Sequence, residues 1–178
     1  KLFSVSENNF RRDYDSMQSM IREAIKNIES AKDHEGNLRG VPSGFTEVDR
    51  ITSGWQKSDM VIIAARPGIG KTAFALNLAL NIGTLPKNPH IAFFSLEMGV
   101  EQLVMRLLSS ISSVNNINLR KGDLKKHEWE RLQTGVHNLK GSNIYFDDSG
   151  TVNVLDLRSK CRKLKQDSKL DLVIVDYL

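Results

Sequence analysis

The chain has 178 residues, of which 40% are hydrophobic, enough to bury the core of one domain of ordinary size. Its 25 lysines and arginines outnumber its 21 aspartates and glutamates, and the net charge of +4 is compatible with a nucleic-acid partner without indicating one. One cysteine excludes an internal disulfide, and the chain shows neither a run of 18 apolar residues nor a signal-peptide pattern. These properties predict a cytoplasmic protein without a membrane partner, and the scattered histidines argue against structural zinc.

The first predicted element is an amphipathic helix at residues 14–31, with an apolar face and a face that carries charges of both signs. A polar stretch typical of a linker follows at residues 30–40. We therefore assign residues 1–35 to a linker region and residues 36–178 to a separate domain. The apolar stripe needs a cover, which a neighbouring subunit, the chain's own domain or a membrane surface would provide. The mixed charges disfavour a membrane, and a neighbouring subunit is the favoured partner.

Beyond the linker, strands and helices alternate. Thr46 is expected to cap a short helix that continues through Asp49 and Ile51. Four short apolar runs, mostly without alternation, are typical of parallel strands that are buried on both faces. Helical patterns separate them, which predicts an α/β fold with a mostly parallel sheet flanked by helices. The predicted strands are residues 60–64, 90–95, 143–146 and 170–175, and the predicted helices are residues 72–82, 100–111, 125–139 and 154–165.

Residues 65–72, Ala-Arg-Pro-Gly-Ile-Gly-Lys-Thr, lie between a predicted strand and a predicted helix, where a phosphate-binding loop belongs. Backbone amides and the positive end of the helix would surround the β-phosphate, Lys71 would bind the phosphate tail, and Thr72 would bind Mg²⁺. Ala65 replaces the first glycine of G-x-x-x-x-G-K-[ST], but the phosphate-binding end is intact. The pattern predicts a nucleoside triphosphate bound by Arg66, Pro67, Gly68, Ile69, Gly70, Lys71, Thr72 and Ala73.

Two carboxylates are expected at the carboxyl edge of the sheet, where ligands of such folds collect. Asp176 ends a hydrophobic strand and is the predicted Mg²⁺ ligand opposite the loop, together with Thr72. Tyr177 stands directly after it, where many ATPases have a glutamate, so the base that polarises the attacking water must come from elsewhere. Glu97, which ends the second predicted strand, is the available group, and the predicted catalytic residues are Glu97 and Lys71. The alternative role for Glu97 is that of a helix-start residue.

Two further charged groups are assigned structural roles. Asp147 and Asp148 close the third predicted strand and precede a Ser-Gly pair, so they are predicted to form a turn rather than an acid–base pair. The last predicted helix carries a basic run, a candidate nucleic-acid stripe, but Leu157, Cys161 and Leu164 give this helix a face to bury. We expect the basic side chains to solvate its other face. They are Arg158, Lys160, Arg162, Lys163 and Lys165.

Four segments, in this order, resemble the bacterial replicative DNA helicases of the DnaB type. They are GVPSGFTEVD at residues 40–49, AARPGIGKTA at 64–73, FSLEM at 94–98 and IVDYL at 174–178. The resemblance covers nearly the whole chain. It implies a RecA-like P-loop NTPase domain in a hexameric ring that couples ATP hydrolysis to 5′ to 3′ movement along single-stranded DNA at the replication fork. In it, the P-loop lysine, the Mg²⁺ hydroxyl, the second-motif acid and the catalytic glutamate correspond to Lys71, Thr72, Asp176 and Glu97.

The resemblance also implies cofactors and partners. These are ATP and Mg²⁺, single-stranded DNA, further copies of the chain contacted through the amphipathic linker helix, a primase and a helicase loader. Family members continue past the second-motif strand to DNA-binding loops, a γ-phosphate sensor and an arginine finger. The sequence is therefore expected to be a fragment that lacks the C-terminal part of the domain and that alone is weakly active or inactive. Two other interpretations stay open: a recombinase or clock-type RecA-like ATPase, and an oligomerisation module without activity.

Overall fold

The computed structural model of the chain describes residues 16–30, 38, 40–150 and 153–176. The chain divides into two compact units, residues 1–39 and residues 40–178. The assignment of a linker to residues 1–35 and of a motor domain to the remainder stays a prediction.

The first unit contains helix α1 (Met17–Ser30). The Ser16 side-chain oxygen accepts a hydrogen bond from the Ser19 backbone N–H at 3.2 Å, which satisfies one of the free amides of the first turn. The predicted amphipathic helix is confirmed over this range, whereas its predicted ends at residues 14 and 31 lie outside the described residues. Large apolar side chains of α1 are exposed, namely Met17, Met20, Ile21, Ile25 and Ile28.

The second unit is built on three described strands, β1 (His90–Ser95), β2 (Asn143–Asp147) and β3 (Leu172–Asp176). β1 lies in the centre of the order β2-β1-β3 and pairs in parallel with both neighbours. Because a central strand is covered on both faces, the five residues of β1 after His90 are all buried. The predicted parallel α/β fold is confirmed.

The helices described in this unit confirm most of the predicted pattern. Those at residues 72–82, 100–111, 125–139 and 154–165 are present with ends that differ by at most two residues from the prediction. The core forms where β1 meets the apolar faces of two helices, with Phe93, Ile82 and Leu103 fully buried. The helices are α2 (Thr46–Thr52), α3 (Lys71–Gly83), α4 (Val100–Ser112), α5 (Asn116–Lys121), α6 (Lys126–Lys140) and α7 (Val154–Asp167).

The predicted strand at residues 60–64 is wrong: this segment forms no strand in the structure. Met60 and Ile62 are 81% and 77% exposed. Val61 and Ile63 line, together with β3, a cavity of about 270 Å³. The space between the segment and β3 leaves the segment without the ladder hydrogen bonds that define a strand. An apolar run predicts that a segment has strand propensity, but pairing also requires contact with a neighbouring edge.

The structure corrects two further details. Thr46 does not cap α2, because the N-cap position is Phe45 and no side chain caps it. Instead, the Asp49 carboxylate accepts hydrogen bonds from the Ser43 backbone N–H and hydroxyl, both at 2.7 Å, and so fixes the preceding turn from within the helix. Helix α5 was not predicted, although its N-cap Asn115, whose side chain accepts from the Ile117 N–H at 2.8 Å, is a recognisable start signal.

An ion pair connects α7 to the end of β2. Lys160 donates to the Asp147 carboxylate, which also accepts the Ser149 backbone N–H at 3.0 Å and the Ser149 hydroxyl at 2.6 Å. These bonds, that from Lys160 first, lower the pKa of Asp147 from 3.8 to about 2. The folded protein therefore favours the ionised carboxylate more strongly than the unfolded chain does.

We expect Asp147→Asn to lower the free energy of unfolding by about 1 kcal/mol or less near neutral pH, because the ion pair is partly exposed. The folded-state pKa lies below the ordinary value of 3.8, so the carboxylate stabilises the fold above about pH 4, and this stabilisation is lost as the pH falls towards about 2. Urea unfolding of both proteins from about pH 7 to about pH 3 should show the difference between them shrinking below about pH 4.

Lys160→Met provides the matched control, because it removes the partner and keeps the carboxylate. In this background, Asp147→Asn should have a smaller effect near neutral pH than it has in the unaltered chain. A difference that stays constant down to about pH 3 would contradict the assignment.

Candidate active site

Two neighbouring strands end side by side at the carboxyl edge of the sheet. Ser95, the last residue of β1, is paired in register with Asp176, the last residue of β3. Both are buried, with exposed fractions of 2% and 8%. The predicted acid is thus present at the predicted edge, beside a hydroxyl that the sequence analysis did not single out. A small polar residue at the end of an apolar strand was the available signal for Ser95.

The predicted phosphate loop precedes α3 directly and is exposed throughout. Gly68 and Gly70 adopt φ angles of 78° and 106°, in the left-handed region that favours glycine. Gly70 is the N-cap of α3, and without a side chain it leaves the first amides of the helix uncapped. A Cβ atom at Gly68 would meet no atom within 4 Å, so the space beside the backbone is open. Such a loop presents backbone N–H groups and the positive end of a helix to an anion.

The direction of α3 places this loop at the same edge of the sheet as Asp176. At the other end of the helix, a Cβ atom on Gly83 would lie 2.9 Å from Ile144, the second residue of β2. The last residue of α3 is therefore near the amino edge of the sheet. Its 13 residues rise by about 20 Å, close to the length of the strands. Lys71 and Thr72, which open the helix and are half-buried, thus lie towards the carboxyl edge.

Glu97 lies two residues beyond β1 rather than at its end, in the four-residue connection to α4, and it is exposed. The connection is attached to β3, because the Leu96 N–H donates to the backbone carbonyl of Asp176 at 2.8 Å. Its role as a helix-start residue is not supported, since the N-cap of α4 is Gly99 and the acid of its first turn is Glu101. The sheet edge therefore brings together an exposed carboxylate and a buried one.

The other two acids at this edge have structural partners, as predicted. Asp147 binds Lys160 and Ser149 and forms a turn of its own. The Asp148 carboxylate accepts a hydrogen bond from the Val100 backbone N–H at 3.0 Å. The spacing of the sequence gave no signal for this contact, which joins positions 48 residues apart.

The basic run on α7 has partners within the chain. Lys160 binds Asp147, and Lys165 donates to the Leu170 carbonyl at 2.7 Å. Leu157, Cys161 and Leu164 are half-buried, as the predicted inner face requires. Burial raises the pKa of the Cys161 thiol, which lowers its thiolate fraction. These contacts favour a solvated helix face over a nucleic-acid stripe.

The arrangement suits a metal ion that keeps most of its own shell. Within the described ranges, no group of three or more His, Cys, Asp or Glu side chains is placed to hold a metal. Mg²⁺ at a phosphate site needs no such group, since one carboxylate, one hydroxyl, the phosphates and water complete its shell. The hard oxygens of Thr72 and Asp176 have the chemistry that this ion prefers. None of the helices in the described part of the chain combines the length and apolar character that a bilayer crossing requires.

The chain is similar to replicative DNA helicases along its whole length. It is 43% identical over 178 residues to the protein named replicative DNA helicase DnaB of Geobacillus stearothermophilus, covering 100% of this chain and 39% of that protein. It is 44% identical over 165 residues to the protein named replicative DNA helicase DnaC of Bacillus subtilis (strain 168), covering 93% of this chain and 36% of that protein. The chain thus spans less than half the length of these relatives.

Solved structures share the fold. The structure titled ATPase Domain of G40P aligns with a TM-score of 0.83 at 35% identity, over 93% of this chain and 58% of that one. A second, titled The Structure Of A DnaB-Like Replicative Helicase And Its Interactions With Primase, aligns with a TM-score of 0.77 at 34% identity, over 98% of this chain and 41% of that one. The predicted RecA-like fold is therefore confirmed. The family described as DnaB-like helicase C terminal domain matches residues 40–178, and the chain belongs to this family.

Proposed function

We propose that this chain is part of the motor of a replicative DNA helicase, which couples ATP hydrolysis to 5′ to 3′ movement on single-stranded DNA at the replication fork. The observation that carries the proposal is the placement of the phosphate loop and of the strand-terminal Asp176 at one edge of the sheet. The names of the relatives support the helicase over a recombinase or clock-type ATPase. The predicted hexameric ring and cytoplasmic location belong to the same proposal.

The phosphate loop would bind the triphosphate of ATP. The left-handed backbone at Gly68 and Gly70 keeps the loop open, so that its N–H groups and the uncapped start of α3 face an anion. Lys71, the first residue of the helix, would add a positive charge at the phosphate tail. The proposed binding residues are Arg66, Pro67, Gly68, Ile69, Gly70, Lys71, Thr72 and Ala73.

Thr72 and Asp176 would hold Mg²⁺, through an hydroxyl oxygen and a carboxylate oxygen. When bound, the ion neutralises negative charge on the phosphates. The burial of Asp176 beside Ser95 holds this carboxylate in one place, because a buried side chain has few alternative rotamers.

Glu97 would orient the attacking water and accept its proton. It is exposed in the connection after β1, so water reaches it, while the neighbouring Leu96 is bonded to β3 and keeps it near Asp176. A base must lie within hydrogen-bond reach of the proton that it removes, and a flexible exposed carboxylate on an anchored connection can meet this requirement. Lys71 would stabilise the negative charge that grows on the transferred phosphoryl oxygens.

The remaining partners follow from the family. Helix α1 would pack its exposed apolar face on a second copy of the chain, because an isolated amphipathic helix of this length gains most of its stability from such packing. Residues 1–35 would then form the docking linker, and residues 36–178 the motor portion. A solved relative is titled with its interactions with primase, and we extend primase and a helicase loader to this chain as proposed partners. No specific observation favours a module without activity.

We expect Glu97→Gln in the full-length protein to keep its affinity for Mg²⁺ and ATP and to lower the turnover number for ATP by about 10²–10⁴-fold, because only the base is removed. Lys71→Ala should lower both nucleotide affinity and turnover, since its charge acts on the bound and the reacting phosphates. Steady-state ATPase rates and calorimetric nucleotide binding measure the two effects. Glu101→Gln, an exposed acid in the first turn of α4, is the matched control and should leave both unchanged. Full turnover in Glu97→Gln would remove the assignment of the base.

We expect removal of residues 1–35 to reduce the mass of the assembly in solution, as measured by analytical ultracentrifugation. Ile21→Asp combined with Ile25→Asp should have the same effect, because both side chains lie on the exposed apolar face of α1. Lys26→Asp changes the opposite face of the same helix and serves as the control. An unchanged assembly in both the deletion and the double variant would show that α1 does not dock on another copy.

A further inference from the structure

The four-residue connection that carries Glu97 is held by hydrogen bonds before it reaches α4. The Leu96 N–H donates to the Asp176 backbone carbonyl at 2.8 Å, which attaches the connection to β3. The Met98 N–H donates to the Ser95 hydroxyl at 3.2 Å, which attaches it to the end of β1. The place of the Glu97 side chain then depends on how the connection enters the next helix.

The entry into α4 is fixed by a residue from a different strand. The N-cap position is Gly99, which has no side chain to satisfy the first amides of the helix. Asp148, directly after β2, supplies the acceptor instead, through its bond from the Val100 N–H at 3.0 Å. A Cβ atom at Gly99 would lie 3.8 Å from the same carboxylate oxygen, so Asp148 occupies the region where a capping side chain would be. Its negative charge also suits the positive end of the helix.

The adjacent Asp147 cannot take over this role. Successive side chains of a strand point in opposite directions, and Asp147 is bound to Lys160 and Ser149 on the side of α7. The two neighbouring acids therefore attach the end of β2 to two different helices. Only the bond of Asp148 reaches the helix that follows Glu97.

We propose that Asp148 is a positioning residue for Glu97, acting through the start of α4. With it, the connection that carries the base is attached to all three described strands: to β3 through Leu96, to β1 through Ser95 and to β2 through Asp148. A displacement of a catalytic group by about 1 Å can lower a rate by about 10²-fold, whereas the phosphate loop is on another element and keeps its shape. The proposal rests on the function proposed above for Glu97.

The test compares ATPase kinetics of Asp148→Ala and Asp148→Asn in the full-length protein. Asp148→Ala should lower the turnover number by about tenfold or more, with the KM for ATP and the affinity for Mg²⁺ and ATP within about twofold. Asp148→Asn should recover most of the turnover, because its amide oxygen can still accept the Val100 N–H. Asp147→Ala is the matched control, with the same loss of charge one residue away, and should keep turnover within about twofold.

Two further measurements separate positioning from a general loss of stability. In the Glu97→Gln background, Asp148→Ala should cause no additional loss of turnover, because it acts through the group already removed. Amide hydrogen exchange of the segment that begins at Val100 should become faster in Asp148→Ala but not in Asp147→Ala. Asp148→Ser, whose shorter side chain also lacks the contact, provides a second variant should Asp148→Ala fold poorly.

Unchanged turnover in a folded Asp148→Ala or Asp148→Ser overturns the inference, as does a further loss of turnover on top of Glu97→Gln. Loss of turnover in Glu97→Gln with none in the Asp148 variants removes this inference alone and leaves the proposed function intact. Full turnover in Glu97→Gln removes the proposed role of Glu97 and the inference with it.

Discussion

The parallel pairing of β1 with β3 is the constraint on which the candidate site depends. Because neighbouring parallel strands end at the same edge, the register that sets Ser95 opposite Asp176 also sets where the connection after β1 leaves the sheet. The bond from the Leu96 N–H to the Asp176 carbonyl continues this register by one residue beyond the strands. A shift of one residue would turn Asp176 away from its buried position and would separate it from Glu97.

The central position of β1 makes that register stable. Five successive residues of the strand are buried, and Phe93 meets Phe146 on one neighbour with ring centroids 5.4 Å apart. The apolar face of α3 covers the same strand, and the helix ends where Gly83 approaches Ile144. Packing at the amino edge thus determines where α3 starts, and with it the position of the phosphate loop at the other edge. The glycines of that loop are free to serve the ligand because the core is built elsewhere.

The sequence predicted those features that depend on local patterns. Helical spacing located α3, α4, α6 and α7 to within two residues, and the apolar runs located β1, β2 and β3 nearly as well. The run at residues 60–64 has the same character but forms no strand, because pairing depends on its distance from β3 and not on its composition. The Asp148 contact was likewise out of reach, since 48 residues separate its partners and only the assembled sheet brings them together.

Four carboxylates near one edge of the sheet differ in what surrounds them, and this decides what each can do. Asp176 is buried at a strand end, which suits a fixed metal ligand, whereas Glu97 is exposed and reaches water. Asp147 is neutralised by Lys160, which depresses its pKa to about 2 and leaves it no proton to exchange near neutral pH. The charge of Asp148 is directed at a helix start. Only Glu97 therefore combines access to water with a carboxylate that no bond seen in the fold occupies, and this contrast assigns it the base more firmly than its place in the sequence does.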